Sequence, residues 1–166
     1  DLAHEGLLEP VRNKGFRVTA VDDATLDELA ELRTLIEMPT MVAVAGDRHL
    51  GVGSRVEALR PLARRIVAAA AEGDFAAYVL VDTEFHLAFL ALHGNHHLVE
   101  VVRELRGRSR LSGLSELVEA GVLETQAQEH EQMVDAALAH DRALMRRLVT
   151  QHLGHLRAEH GLPQRP

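Results

Sequence analysis

Apolar residues recur at helical spacing through almost the whole chain after residue 24, and this periodicity limits the fold more than any other feature. Glycines and helix-capping residues separate the periodic segments. No alternating strand pattern follows residue 22. The sequence therefore predicts an all-α fold, an antiparallel bundle of six or seven helices, with helices at about 25–45, 54–73, 74–93, 95–105, 123–139 and 141–160.

The predicted helix boundaries depend on caps and on one proline. We expect Pro39 to kink or restart the first helix, because proline lacks the amide hydrogen that a helix interior needs. We expect a loop with a short helix at about 107–121, where the periodicity is less regular. The predicted N-caps are Thr25, Ser54, Asp74, Asn95 and Asp141.

Residues 1–18 differ from the rest of the chain. Leu2, Leu7 and Leu8 suit the end of a helix, and Asn13-Lys14-Gly15 predicts a turn between two strands, the second at 16–18. A segment of this size cannot fold alone. We therefore divide the chain into this N-terminal piece, a linker at 19–24, a helical domain at 25–160 and a frayed tail at 161–166.

Composition and charge exclude several classes of protein. The chain has no cysteine, so disulfides, thiolate zinc sites and cysteine nucleophiles are absent. The formal charge of −7 argues against a free-standing nucleic-acid binder, because counterion release needs a basic face. No apolar run approaches the roughly 20 residues of a membrane span. No signal-peptide pattern is present. We expect a cytoplasmic protein.

Eleven histidines are the unusual count, and three of them lie on apolar helix faces. Asp82 and His86 are four residues apart on one face of the third helix, and His130 and His152 lie on inward stripes of the fifth and sixth. A buried His or Asp without a partner is costly, so convergence of all four would satisfy each. Three imidazoles and one carboxylate suit a divalent transition metal, zinc first, with nickel, manganese or iron as alternatives.

Each of these residues also has a simpler explanation. A lone inward histidine can donate to a backbone carbonyl, and Asp82 with His86 can be an ordinary i,i+4 pair. His93 is the first substitute ligand, because it lies seven residues after His86 on the same face. The further substitutes are His96, His97, His155 and His160, whereas His4, His49 and His140 are assigned to loops or the surface.

Short segments spread along the chain carry a family resemblance. Residues 25–160 resemble the FCD domain, the C-terminal ligand-binding domain of FadR-like GntR-family transcription regulators. Residues 1–18 resemble the end of the winged-helix DNA-binding domain that precedes it in that family. The matching segments are LAELRTLIE at 29–37, DTEFH at 82–86, GN at 94–95, EH at 129–130, HD at 140–141 and HL at 152–153.

The resemblance implies a fold, a ligand set and partners. It implies an antiparallel helical bundle that forms a homodimer and binds a small organic acid beside a metal. The implied metal ligands are Asp82, His86, His130 and His152. Operator DNA would be bound only through the winged-helix domain, so we expect no operator binding by this sequence alone. The implied role is metabolite-responsive regulation, not catalysis.

The effector contacts that we expect are Arg33, Arg106 and Asn95. Arg33 lies in the LR-x-x-x-E segment that lines the family pocket, and a guanidinium can grip a carboxylate with two hydrogen bonds. Its alternative is a surface ion pair with Glu37. Arg106 belongs to a basic run after the fourth helix. Asn95 has helix capping as its alternative, which we favour.

Two other functions remain possible at this point. One is a metal-dependent hydrolase, and the other is a dimerisation module with a purely structural metal. The hydrolase finds little support, because Val134 stands where an H-E-x-x-H motif needs its second histidine. Glu84 and Glu129 are expected to point away from the metal face, which leaves no evident general base. We predict that the chain is not an enzyme.

Overall fold

A two-stranded hairpin and seven helices form the part of the chain that the computed structural model describes, which comprises residues 8–11, 15–18, 23–49, 51–109 and 121–158. Strands β1 (Leu8–Val11) and β2 (Gly15–Val18) pair antiparallel, with Leu8 opposite Val18. The predicted all-α bundle after the hairpin is confirmed. Its helices are α1 (Asp23–Gly46), α2 (Val52–Glu57), α3 (Arg60–Glu72), α4 (Phe75–Ala91), α5 (His96–Ser109), α6 (Leu123–Leu138) and α7 (Arg142–Ala158).

Helix α1 runs through Pro39 without restarting. A proline in a helix interior removes one backbone hydrogen bond at a cost of about 3 kcal/mol. The helix continues because its length packs against α7 and α5. The hydroxyl of Thr40 donates to the carbonyl of Ile36 at 2.7 Å, one turn back. Our expectation of a restart at this proline was therefore wrong.

The predicted second helix is two helices. Ser54 is not the N-cap that we predicted, because Gly51 takes that position with a φ of 90°, a conformation that favours glycine. The hydroxyl of Ser54 instead donates to the carbonyl of Gly51 at 3.0 Å. Pro61 lies in the first turn of α3, where its missing amide hydrogen is tolerated. The helix is interrupted just before this turn.

The later helix starts agree with the predicted caps. The carboxylate of Asp74 accepts the amide hydrogen of Ala77 at 3.0 Å, and that of Asp141 accepts the amide hydrogen of Leu144 at 2.8 Å. Helix α5 continues to Ser109, four residues beyond its predicted end at Leu105.

The N-terminal predictions are corrected in two places. Leu8 begins a strand, so it does not belong to the end of a helix. Helix α1 starts at Asp23, so the predicted linker loses its last two residues and Thr25 lies within the first turn. The other predictions for 1–7, 12–14, 19–22, 110–120 and 159–166 lie outside the described residues.

The helices pack around one apolar core. Helix α1 packs against α7, α5, α6 and α4; α3 packs against α4 and α6; and α6 packs against α7. The largest fully buried apolar side chains are Phe85, Phe89, Met41, Ile66, Leu90, Met133, Met145 and Leu153. Among the described ranges, no helix has the length and apolar character that crossing a membrane requires.

The turn between α6 and α7 is fixed by a histidine in a left-handed conformation. His140 has a φ of 53°, and its Nδ1 donates to the carbonyl of Ala45 at 3.2 Å. The residue lies in a turn, in agreement with its assignment to a loop or the surface, and its side chain is half-buried. The bond ties this turn to the end of α1.

Substitutions at His140 separate backbone strain from this bond. We expect His140→Ala to lower the free energy of unfolding by about 1 kcal/mol, because it loses the hydrogen bond and keeps the unfavourable φ. His140→Gly should change it less, because glycine relieves the strain while losing the same bond. Urea unfolding of both variants measures the difference. Equal losses in the two variants would contradict this account.

Candidate metal centre

The inner faces of three helices bring the four predicted ligands together. Helix α4 carries Asp82 and His86 one turn apart, α6 carries His130 and α7 carries His152. One ligand atom from each residue lies within 4.8 Å of every other. The three histidines are buried, and the Asp82 side chain is 18% exposed.

The spacing of the donor atoms fits a single cation. Oδ1 of Asp82 lies 3.0 Å from Nε2 of His130, 3.7 Å from Nε2 of His86 and 3.9 Å from Nε2 of His152. The Nε2 atoms of His86 and His152 are 3.2 Å apart. Metal–ligand bonds of about 2.1 Å place neighbouring donors about 3.0 Å apart at right angles and about 3.4 Å apart in a tetrahedron. Two of the four distances agree with these values, and the other two are somewhat longer than the tetrahedral spacing.

The outer nitrogens of the three rings lie beside acceptors. Nδ1 of His130 donates to the carbonyl of Ala127 at 3.0 Å, and Nδ1 of His152 donates to Glu129 at 2.8 Å. Nδ1 of His86 is 3.2 Å from Oε2 of Glu37, although without hydrogen-bond alignment. A bound cation would replace the Nε2 contacts of His130 with Asp82 and of His86 with His152. A proton on each Nδ1 would then leave the three Nε2 lone pairs available to it, as in metal-binding histidines.

Charge states in the cluster also suit a cation. Burial opposes ionisation of Asp82, but the His130 hydrogen bond and the charge of Arg106 hold the pKa of this carboxyl well below its usual value. Burial, followed by the charge of Arg106, holds the pKa of His86 well below its usual value. Burial also depresses the pKa of His152. Asp82 is therefore anionic and these two imidazoles are neutral near pH 7, the forms that bind metals.

A second buried group joins α1 to this cluster, and we call Arg33, Glu37 and Arg106 the arginine–glutamate bridge. Nε of Arg33 donates to Oε1 of Glu37 at 2.9 Å. Arg106 donates from Nε to the same oxygen at 3.1 Å and from Nη1 to Oδ2 of Asp82 at 2.9 Å. Burial opposes ionisation of Glu37, yet the charges of Arg106 and Arg33 hold its pKa well below the usual value.

The three effector candidates occupy different environments. The Arg33–Glu37 pair that we considered as a surface pair exists, but it is buried. Arg106 is buried too, with Nε and both Nη atoms committed to carboxylates. Asn95 is exposed and accepts the amide hydrogen of Leu98 at 3.2 Å, which caps α5. No contact within the described ranges joins Asn95 to the metal ligands.

The substitute ligands do not reach the cluster. His93, His96 and His97 are exposed near the α4–α5 turn. Within the described ranges, only the four predicted residues form a group that could hold a metal ion. His49 is exposed, as expected, and the positions of the other histidine side chains that we named, His4, His155 and His160, lie outside the described residues.

Two carboxylates near the centre were not anticipated. Glu129 does not point away from the ligands: it is 2% exposed, its Oε2 accepts from His152 and its Oε1 accepts from Gln151 at 2.7 Å. It is buried because α7 covers the side of α6 next to the His130 face. Glu37 was considered only as a surface partner of Arg33. Glu84 is exposed, as expected.

The comparisons with known proteins agree with this architecture. The family model of the FCD domain matches residues 20–155. The McbR/YncC protein of E. coli is 21% identical, with 95% of this chain and 78% of that chain covered and a TM-score of 0.76. A GntR transcriptional regulator of Rhodococcus sp. RHA1 is 20% identical, with 98% and 77% covered and a TM-score of 0.77. GntR of Streptococcus agalactiae is 19% identical, with 94% and 76% covered and a TM-score of 0.66. No curated protein matches the sequence.

Proposed function

The chain belongs to the FCD domain family, and on that basis we propose that it is the effector-sensing and dimerisation domain of a metabolite-responsive GntR-type transcription regulator. In this proposal the domain binds one divalent metal and a small organic acid, and the acid modulates DNA binding. The observation that carries the proposal is the convergence of three buried Nε2 atoms and one carboxylate oxygen.

Zinc is the metal that we propose first, with nickel, manganese and iron as alternatives, because imidazole suits zinc, nickel and iron and a carboxylate suits manganese. When bound, the cation would supply a positive centre that attracts a carboxylate oxygen. Asp82, His86, His130 and His152 would hold it. Glu129 would orient the ring of His152 through the Nδ1 hydrogen bond.

The proposed acid would be held by a guanidinium. Arg33 makes one hydrogen bond among the described residues, through Nε, which leaves its two Nη groups as the fork that a carboxylate recognises. Arg106 and Asn95 complete the proposed effector set. Arg106 would use the N–H groups that it does not donate to Glu37 and Asp82, and Asn95 would use its Nδ2, because its Oδ1 caps α5.

Dimerisation and DNA binding are proposed on separate observations. Leu32 and Leu35 on α1 are 46% and 64% exposed, which supports an interface on this helix. The hairpin that precedes α1 supports the assignment of residues 1–18 to the wing of a winged-helix domain. Operator DNA would be bound through that domain.

Metal content and acid response test the proposal together. We expect about one divalent ion per chain after dialysis. A weakly chelating acid such as lactate or gluconate, at about 100 times its dissociation constant, should stabilise the metal-loaded protein by about 2.7 kcal/mol. That corresponds to an upward melting shift of about 5–10 °C. Bound metal with no response to either acid would instead favour the structural-metal module. No metal after reloading with zinc, nickel and manganese would refute the metal site.

Glu129 offers a test of the groups around the proposed ligands. We expect Glu129→Gln to weaken zinc binding by about 10- to 100-fold, because the amide holds the His152 ring less firmly and makes it less basic. Competition with a chromophoric chelator measures the affinity. Glu124→Gln is the matched control, since Glu124 is exposed on the same helix. Equal affinities in the two variants would remove Glu129 from the site.

A further inference from the structure

Glu37 is the point at which α1 meets the candidate metal centre. Helix α1 supplies none of the four candidate ligands, yet this side chain is fully buried among groups that contact them. Its Oε2 lies 3.2 Å from Nδ1 of His86, and its carboxylate is bound by Arg106, whose Nη1 holds Asp82. Two separate routes therefore lead from the ligands on α4 to this one carboxylate.

The route through His86 lacks an aligned hydrogen bond. Nδ1 of His86 is buried and has no aligned hydrogen-bond partner, although an oxygen of Glu37 is within reach. A buried donor left unsatisfied costs about 1–3 kcal/mol. Engagement of Nε2 by a cation would fix the proton on Nδ1 and polarise that N–H, which strengthens its demand for an acceptor. Oε2 of Glu37, 3.2 Å away, is an acceptor within reach.

The other route passes through the guanidinium of Arg106. The guanidinium of Arg106 forms ion pairs with two carboxylates, those of Asp82 and Glu37. The carboxylate of Glu37 also forms an ion pair with Arg33. Charges therefore alternate from Asp82 to Arg33 along a buried line. Neutralising Asp82 at one end would leave Arg106 to bind Glu37 more strongly, and Arg33 would lose part of its hold on the same carboxylate.

We propose that Glu37 is a positioning residue that transmits occupancy of the metal centre to α1. Its carboxylate has two arrangements. In the first it is shared between Arg33 and Arg106, and Nδ1 of His86 has no hydrogen-bond partner. In the second it accepts a hydrogen bond from Nδ1 of His86. The second arrangement loosens Arg33 for an incoming carboxylate. This inference rests on the proposed metal site, but it concerns a helix that contributes no ligand to that site.

Hydrogen exchange with and without zinc tests this inference. Zinc binding stabilises the whole fold, so α3, which carries no residue of the centre or the bridge, is the internal reference. In the wild type we expect zinc to slow amide exchange in α1 by about five-fold beyond the slowing in α3. In Glu37→Gln this excess should disappear. Glu31→Gln, exposed on the same helix, should keep it.

A second pair of variants covers the case in which Glu37→Gln does not fold. Arg106→Lys keeps the charge but cannot bridge two carboxylates with a planar fork, so it should also lose the excess. Arg103→Lys is the matched control, because Arg103 is exposed on the same helix. Zinc content is measured on every sample. A wild type that binds no zinc refutes the proposed function and this inference with it. Bound zinc with equal slowing in α1 and α3, or an excess that survives in both bridge variants, overturns the inference alone.

Discussion

Replacing His130 by alanine is expected to empty the proposed metal centre. The imidazole supplies Nε2 3.0 Å from Asp82 Oδ1, and its loss removes one of four donors. We expect the metal content to fall from about one ion per chain to near zero, with an affinity loss greater than the roughly 100-fold seen when groups around a ligand are changed. Elemental analysis after dialysis measures it.

His97→Ala is the matched control for this experiment, since that histidine is exposed and lies outside the cluster. The His130 ring also packs edge-on against Phe85 with centroids 4.9 Å apart, so the variant loses core contacts as well. Far-UV circular dichroism therefore accompanies the metal measurement. A folded His130→Ala protein with full metal content would show that this histidine is not a ligand.

Replacing Arg106 by methionine is expected to give the largest loss of stability. The substitution leaves the carboxylates of Glu37 and Asp82 buried without their shared cation. Breaking a buried ion pair in this way costs about 3–5 kcal/mol. Urea unfolding in the presence of a chelator isolates the effect from metal binding. Arg103→Met, an exposed substitution on the same helix, should change the free energy of unfolding by no more than about 0.5 kcal/mol.

A double variant tests whether the balance of buried charge sets this cost. Glu37→Met together with Arg106→Met removes both members of the pair and leaves Asp82 with Arg33 as the remaining opposite charges. It should be more stable than Arg106→Met alone by about 1 kcal/mol or more, because the buried charges balance again, with Asp82 opposite Arg33. A double variant less stable than the single one would mean that loss of the Arg33–Glu37 hydrogen bond outweighs the balance of charge.

The fold and the four clustered residues could be predicted because both follow from helical periodicity. Asp82 and His86 are one turn apart, and His130 and His152 occupy apolar stripes, so each had to face the interior. Which stripes meet depends on the packing of separate helices, and the resemblance to the FCD family supplied that information. The break between α2 and α3 does not follow from apolar spacing, because it depends on Pro61 taking a place in the first turn of α3.

The surroundings of the ligands could not be predicted in the same way. Glu37 and Arg33 have the spacing of an ordinary exposed ion pair. The approach of Arg106 from α5 adds a third charged group and buries the pair. Glu129 precedes His130 by one residue, so its face depends on how far α7 covers α6. Whether a charged side chain is buried depends on which helix packs against it, and that helix lies far away in sequence.

The proline inside α1 makes one turn of this helix easier to bend than the others. Pro39 offers no amide hydrogen to the carbonyl of Leu35, so bending costs least at that turn. About 24 Å of helix separates Pro39 from Asp23 at the end facing the hairpin. A tilt of about 10° at the proline would therefore swing that end by about 4 Å. Glu37 lies two residues from Pro39, on the part of α1 that leads back toward the N-terminal hairpin.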